Sequence, residues 1–292
     1  MRIALFGKML SADNQVFMTT LMSDLTRSDV GLSIYKPFLP QIMTCLPEGC
    51  CYDVFETYDD LKSKADVVIS IGGDGTILDA VPLLRDSGVP ILGINMGRLG
   101  FLSSVSKNEI DNAVEKVVHG NFHVEKRTLL QLVSPANLFP NGNCALNELS
   151  VIRNPEHSLL SIKVFVDDIY LNTYWGDGIL LATPTGSTAY SLSAGGPIMA
   201  PNSSCFVITP IAAHNLTVRP IVIPDESTVR IMVEGRDNSF VFGMDSTTRT
   251  LDTSVELVIR KADFCINMLR MDNEDFFGTI RNKLMWGKDN RN

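Results

Sequence analysis

No apolar run in this sequence approaches the roughly 18 residues that a membrane-spanning helix needs. The opening Met-Arg-Ile-Ala-Leu-Phe-Gly-Lys is too short for the apolar region of a signal peptide, and no small-residue cleavage site follows it. Both absences predict a soluble, cytoplasmic protein. Basic charge is not in excess. Lys and Arg total 25 against 33 Asp and Glu, giving a net charge of -8, so neither nucleic acid nor an anionic membrane is an expected partner. The six cysteines, at 45, 50, 51, 144, 205 and 265, lack paired C-x-x-C spacing, and reduced thiols are expected. Adjacent Cys50 and Cys51 have no second pair or nearby histidine to make a metal or redox centre. His119, His123, His157 and His214 show no metal-ligand spacing. Neither G-x-x-x-x-G-K-[ST] nor G-x-S-x-G occurs, which disfavours ordinary P-loop and α/β-hydrolase chemistry. Internal repeats and low-complexity linkers are lacking too.

What is present is a 292-residue chain, 45% hydrophobic, long enough for two domains of ordinary size. Its first 120 or so residues alternate short apolar runs with segments of helical spacing, which is an α/β signature. Residues 2–6, 66–71 and 90–94 read as buried parallel strands. Residues 13–27, 77–85 and 107–118 read as helices, the last stopping at His119-Gly120. From about Phe122 strands separated by turn residues take over, among them 129–133, 149–152, 159–166, 179–181, 207–211, 229–233 and 255–259. Asp167-Asp168 reads as a hairpin turn. Helical spacing returns over 273–285, with Asp272 or Asn273 as N-cap and Phe276, Phe277, Ile280 and Leu284 as an apolar stripe. The expected fold is therefore an α/β N-terminal domain with a Rossmann-like open sheet and an all-β C-terminal domain, a final helix returning to the first. The expected boundaries are 1–123 with 270–292, and 124–269.

Three segments carry candidate chemistry. Ile71-Gly72-Gly73-Asp74-Gly75-Thr76 follows a strand and precedes a helix, so its glycines allow close approach to a phosphate and the helix start offers free N–H groups. A carboxylate in the middle of such a turn would repel phosphate unless it orients a hydroxyl nucleophile or helps hold a metal ion, which suggests phosphoryl transfer. The plainer alternative is a glycine-rich turn with Asp74 as an N-cap. The turn Asn95-Met96-Gly97-Arg98-Leu99-Gly100-Phe101-Leu102 follows the next strand and faces the same crevice of an open sheet. Arg98 there is a phosphate contact or a solvated turn residue, and Phe101 reads as core. Cations such as Lys8 and Arg98, backbone N–H groups and a divalent metal would have to supply the positive charge that the chain as a whole lacks. Finally, Asp177 to Pro197 runs from a strand into a turn crowded with hydroxyls at 185, 187, 188 and 193, with Tyr190 able to meet a purine or a ribose; a plain Thr/Ser-rich turn with Tyr190 in the core is the alternative. Asn147-Glu148, just before a strand, could hold ribose hydroxyls or an exocyclic amine.

Gly72-Gly-Asp-Gly-Thr76, Asn147-Glu148 and Thr183-Pro-Thr-Gly-Ser-Thr-Ala-Tyr-Ser-Leu-Ser-Ala-Gly-Gly-Pro-Ile198 together resemble the NAD kinase family in order and spacing. The likeness continues through 95–102 and Arg219-Pro-Ile-Val-Ile-Pro224, so it spans roughly residues 66–224. The Gly-Gly-Asp-Gly-Thr element is shared with diacylglycerol-type lipid kinases; the Thr-Pro-Thr-Gly-Ser-Thr-Ala-Tyr run is far more specific. The resemblance implies Mg2+- or other divalent-metal-dependent transfer of the terminal phosphoryl group of ATP, or of another donor, to the 2'-hydroxyl of the adenosine ribose of NAD. It implies an NAD site between an α/β and an all-β domain, and a homodimer or homotetramer. For single residues it implies that Asp74 contacts the reacting hydroxyl and that Gly72, Gly73, Gly75 and Thr76 surround the triphosphate and its Mg2+. Phe101, Asn147, Glu148, Asp177, Thr185, Thr188, Ala189, Tyr190 and Ser193 match positions lining the NAD site. Where the family pattern has Asp-Gly late in the β domain this chain has Asp245-Ser246, which leaves a ligand role for Asp245 open. Two other readings are a lipid kinase built on the same glycine loop, which would need an apolar entrance rather than a hydroxyl-rich segment, and a non-catalytic NAD sensor, against which the intact Asp74 argues.

Overall fold

The computed structural model describes residues 1–28, 30–97, 100–140, 142–154, 159–235, 238–271 and 275–286. The chain divides into two compact units, one formed by Met1–Lys126 and the chain from Ile266 onward, the other by Arg127–Cys265.

In the first unit the parallel strands lie in the order Asp53–Phe55, Gly31–Tyr35, Arg2–Gly7, Val67–Ile71, Ile91–Asn95. The end of the long strand Leu257–Arg270 then pairs with the last of these, Met268 opposite Ile91. Val67 to Ile71 are all buried, as a strand covered on both faces requires. One of the covering helices is Gln15–Arg27, whose Met18, Leu21, Met22 and Leu25 fall at three and four spacing and enter the core with Ile3, Leu5, Ile69 and Ile94. Helix Ile110–His119 does the same with Ile110, Ala113, Val114 and Val117, and ends where Gly120 adopts φ 73°, a conformation that costs glycine little. Strand order reverses at Arg2–Gly7, beside Val67–Ile71. Open α/β sheets place their ligand crevice outside the carboxyl ends of strands at such a switch point, and Gly72 follows there directly.

The second unit is antiparallel. One sheet runs Ile221–Pro224, Cys205–Ile211, Gly178–Ala182, Glu148–Ile152, Ser239–Met244, Thr247–Asp252. Ile169–Gly176, Leu160–Val166, Val229–Glu234 and the start of Leu257–Arg270 pair separately, Ile162 opposite Val233 and Val229 opposite Ile259. Alternate residues from both sets, including Val151, Leu181, Phe206, Phe240 and Phe242 from the first and Ile162, Val164, Ile231, Val233 and Ile259 from the second, fill one apolar cluster. The α/β and β-rich architecture is the one expected.

Several elements differ in detail. Helix Asp74–Leu84 begins three residues before the predicted start, with Gly73 rather than Asp74 as its N-cap. The predicted strand 255–259 is Leu257–Arg270, fourteen residues long; Arg260, Lys261 and Asp263 break the apolar alternation that would have revealed it. The Thr/Ser-rich segment is no β-turn but a 3-10 turn, Gly186–Thr188, and a short helix, Tyr190–Ser193. The final helix spans Phe276–Leu284 and its N-cap is Asp275, whose carboxylate accepts from Gly278 N–H. The proposed caps Asp272 and Asn273 lie outside the described residues. Ile280 is buried but Phe277 is exposed, so the apolar stripe is narrower than predicted.

Gly93 ties the sheet to the loop that follows it. A Cβ there would lie 2.5 Å from Ile77 Cδ1 and 2.7 Å from Ser103 Cα, and the second contact is with backbone. We expect Gly93→Ala to lower stability by about 1–3 kcal/mol through overpacking, read from denaturant unfolding; an unchanged midpoint would mean that the 100–103 segment yields freely.

Candidate active site

In the first unit the site is organised around one carboxylate. Asp74 is the first residue of its helix, and both its oxygens face the turn at 101–103. Phe101 N–H donates to Oδ2 at 2.8 Å, and Leu102 N–H, Ser103 N–H and the Ser103 hydroxyl donate to Oδ1 at 3.1, 2.9 and 2.7 Å. An ionised carboxylate offers about two lone-pair positions on each oxygen, so this turn saturates Oδ1 and leaves Oδ2 room for one further donor. Ser103, fully buried, in turn accepts from Asn95 Nδ2 at 2.8 Å, while Asn95 Oδ1 accepts from Gly97 N–H at 2.7 Å. Gly100 makes the approach possible, since a Cβ on it would sit 1.7 Å from Asp74 Oδ1.

The glycines of the loop have separate tasks. Gly72 has φ 151°, and a Cβ would fall 2.1 Å from Thr76 Oγ1. Around Gly73 and Gly75 a Cβ would meet nothing within 4 Å. Their backbone is therefore open to a phosphate at the start of a helix. Lys8, at the end of the neighbouring strand, is paired with Asp79 at 2.6 Å. Arg98 lies outside the described residues. Phe101 is half-buried rather than core, and its ring lies 5.0 Å from Lys283 Nζ.

The second unit repeats the device. Asp245, at φ 47°, accepts from three successive N–H groups, Leu146 at 2.8 Å to Oδ2 and Asn147 and Glu148 at 2.9 and 3.1 Å to Oδ1. Its own N–H donates to Glu148 O at 3.0 Å. Thr183 ties the next loop to the same turn, its hydroxyl donating to Leu146 O at 2.6 Å and accepting from Gly186 N–H at 3.0 Å. Gly186 packs so closely that a Cβ would lie 2.1 Å from Asn147 O. Of the hydroxyls in this segment, Ser187 is structural, donating to Pro184 O and accepting from Met199 N–H. Buried Thr185 accepts from Arg127 Nη1 at 3.2 Å, and Thr188 donates to Thr185 O at 3.1 Å. Ala189 is half-buried, while Tyr190 and Ser193 are exposed, so Tyr190 is not in the core. Asp177 is held by Arg153 Nε at 2.6 Å.

Glu148 differs from the other carboxylates. Its Oε2 is buried without a hydrogen-bond partner. Burial first, and then the nearby charge of Asp245, push its pKa up to about 8 against the opposing Tyr190 N–H. Burial also raises Asp245, to about 6, against the three N–H groups it accepts. Sequence reasoning missed Ser103, Asn95 as a side chain, Thr183 as a bridge, Arg127 and Arg270; only the clustering of polar residues around the glycine motifs could have hinted at the first three. Among the described residues no three His, Cys, Asp or Glu side chains converge on one point.

Residues 26–122 match the ATP-NAD kinase N-terminal domain and residues 146–271 the ATP-NAD kinase C-terminal domain. The NAD kinase of Flavobacterium psychrophilum is 40% identical over 294 residues, covering 100% of both chains. That of Bacteroides fragilis is 40% identical over 291 residues, also 100% of both. Among solved structures, yeast NADH kinase complexed with NADH superposes with a TM-score of 0.86 at 25% identity, covering 98% of this chain and 88% of that one. An NAD kinase from Archaeoglobus fulgidus in complex with ATP gives 0.76 at 26% identity, covering 98% and 99%.

The folded state holds the Glu148 proton more tightly than the unfolded chain does. Its contribution to stability is therefore full below the ordinary carboxylate pKa, here 4.5, and is lost as pH rises towards about 8. Glu148→Gln, a neutral mimic, should match the parent in thermal unfolding at low pH and melt progressively higher than the parent as pH rises through that window. Equal melting at all pH values would mean that Glu148 ionises freely in the fold.

Proposed function

The chain belongs to the NAD kinase family, and on that premise we propose which of its residues carry the reaction. It transfers the terminal phosphoryl group of ATP to the 2'-hydroxyl of the adenosine ribose of NAD, giving NADP. Nothing in its relatives favours the lipid-kinase or silent-sensor readings. The observation that carries our assignment is the cradle around Asp74, a carboxylate fixed by four hydrogen bonds beside an open glycine backbone.

In our reading Asp74 meets the reacting hydroxyl. A carboxylate is too weak a base to strip a ribose hydroxyl before attack. It need not do so, because in a loose phosphoryl-transfer transition state the nucleophile gives up its proton late. What it supplies is orientation. The 101–103 turn prevents the carboxylate from rotating, so an incoming hydroxyl shares an oxygen already aimed, which is worth most when the reacting atoms must be held in line. Gly72, Gly73, Gly75 and Thr76 take the triphosphate in this proposal, with the N–H groups of Gly73 and Gly75 facing charge that shifts during transfer, since those of Gly72 and Thr76 donate to Ile94 O and Gly73 O. Arg98, outside the described residues, is assigned as a further phosphate contact.

A divalent ion suits this donor set only as one carried by the nucleotide, because Mg2+ is commonly held by phosphates, water and at most one or two carboxylates, and no three-ligand cluster exists among the described residues. Bound in that way it would offset charge on the transferring group. For NAD we propose Phe101, Asn147, Glu148, Asp177, Thr185, Thr188, Ala189, Tyr190 and Ser193 as lining residues. Exposed Tyr190 and Ser193 are available to a ligand, and the buried Glu148 Oε2 is a polar atom that a ligand group would satisfy. Asp245 we assign to holding the 146–148 turn in shape.

Among the described residues no helix is long and apolar enough to cross a membrane. We propose a cytoplasmic homodimer or homotetramer. Support comes from the edge strand Ile169–Gly176, which leaves Ile169, Tyr170 and Trp175 between 54% and 73% exposed, an apolar edge that a monomer would have reason to cover. A monomer by light scattering, or recovery with membranes, would remove that reading.

Asp74→Asn replaces one acceptor oxygen by a donor, so the turn loses part of its anchor together with the charge that meets the hydroxyl. With ATP, Mg2+ and NAD, and product read by a dehydrogenase specific for NADP, turnover should fall by about 100-fold or more while far-ultraviolet circular dichroism stays that of the parent. Parental turnover in the variant would remove Asp74 from the mechanism.

A further inference from the structure

The reaction as described makes no use of Arg270, a charged side chain only 8% exposed at the end of the strand Leu257–Arg270. Its Nε donates to Glu125 Oε2 at 2.9 Å, its Nη2 to Phe101 O and its Nη1 to Leu102 O, both at 3.3 Å. These carbonyls belong to the two peptide groups whose N–H ends, on Leu102 and Ser103, point at Asp74. In a planar trans peptide the C=O and N–H point in opposite directions. Each of the two groups therefore lies with its oxygen on a guanidinium and its hydrogen on a carboxylate. Both dipoles are aligned between a fixed cation and a fixed anion, an arrangement in which each hydrogen bond polarises the next.

We propose that Arg270, held by Glu125, is a positioning residue for Asp74. It sets the two peptide planes that aim the carboxylate, and the sheet sets Arg270, since Met268 two residues earlier pairs with Ile91. Lys283, over the ring of Phe101, bears on the same turn from the final helix. A planar fork is needed, because a lysine ammonium is a point charge that cannot span a carboxylate and two carbonyls in one plane. The proposal rests on the reading of Asp74 as the group that meets the ribose hydroxyl.

The test is Arg270→Lys, alone and in the Asp74→Asn background, with Glu125→Gln as a milder variant that keeps an oxygen acceptor. Arg270→Lys should lower kcat by about tenfold or more with KM for NAD and ATP within about twofold, Glu125→Gln should lower it less, and amide exchange at Leu102 and Ser103 should quicken. In the Asp74→Asn background the same change should cost little more, since a residue acting through Asp74 has nothing left to position. Parental kcat in Arg270→Lys, an additive loss in the double variant, or a lower melting temperature with kcat and amide exchange unchanged would each overturn the proposal. Should the parent itself fail to make NADP, the functional reading falls, and exchange at Leu102 and Ser103 still decides whether Arg270 sets the turn.

Discussion

A carboxylate that accepts several consecutive backbone N–H groups fixes the chain that donates them as firmly as it is itself fixed. Asp74 does this with residues 101–103, and most of what is distinctive in the first unit follows from it. The strand Val67–Ile71 must end at the sheet's switch point so that Asp74 can start a helix there. Gly100 must lack a side chain so that the carboxylate can reach the turn, and Asn95 must hold Ser103 so that the hydroxyl donates to Asp74 rather than elsewhere. Hydrogen bonds to a charged group contribute about 1.5–3 kcal/mol each. The same contacts therefore stabilise the fold and, in the proposed mechanism, align the reacting group, so that activity and loop order are expected to change together.

The second unit uses the same physics for a different end. Asp245 gathers the N–H groups of residues 146–148, and Thr183 and Gly186 bind the hydroxyl-rich segment onto that turn. The carboxylate beside it, Glu148, has no such donors for one of its oxygens and is buried near a like charge, which is why its proton is held so tightly. Two neighbouring carboxyl groups thus diverge in behaviour because one is surrounded by N–H dipoles and the other is not. A group kept protonated near neutrality can donate a hydrogen bond that an ionised carboxylate cannot.

Much of this was legible in the residues. Glycine at 72, 73 and 75 around Asp74 suggested a turn open to close approach, and the structure leaves 73 and 75 open. The 3.6-residue spacing of Met18, Leu21, Met22 and Leu25 lies within the helix predicted over 13–27, and the apolar runs near 67–71 and 91–94 are the buried strands expected. Other features were misread for physical reasons. Asp74 looked like a turn residue or a cap because an aspartate before an apolar run often is one, yet Gly73 caps the helix and leaves Asp74 free to face the next loop. Tyr190 was weighed as core and stands exposed, since aromatic character alone does not distinguish a packed ring from a solvent-facing one.

Local sequence determined the elements and their order, because helix and strand periodicity, caps and glycine conformations depend on residues within a few positions of one another. Motif order pointed to the family and to the carboxylate to which we assign the chemistry. Only the tertiary structure decided what holds that carboxylate. Its partners lie 27 to 29 residues away, the guanidinium behind them 168 or 169 residues beyond the turn, and Asp245 97 to 99 residues from the turn it anchors. Hydrogen bonds across such separations leave no period in the chain. They depend on where strands place their ends, and that is settled only when the sheets form.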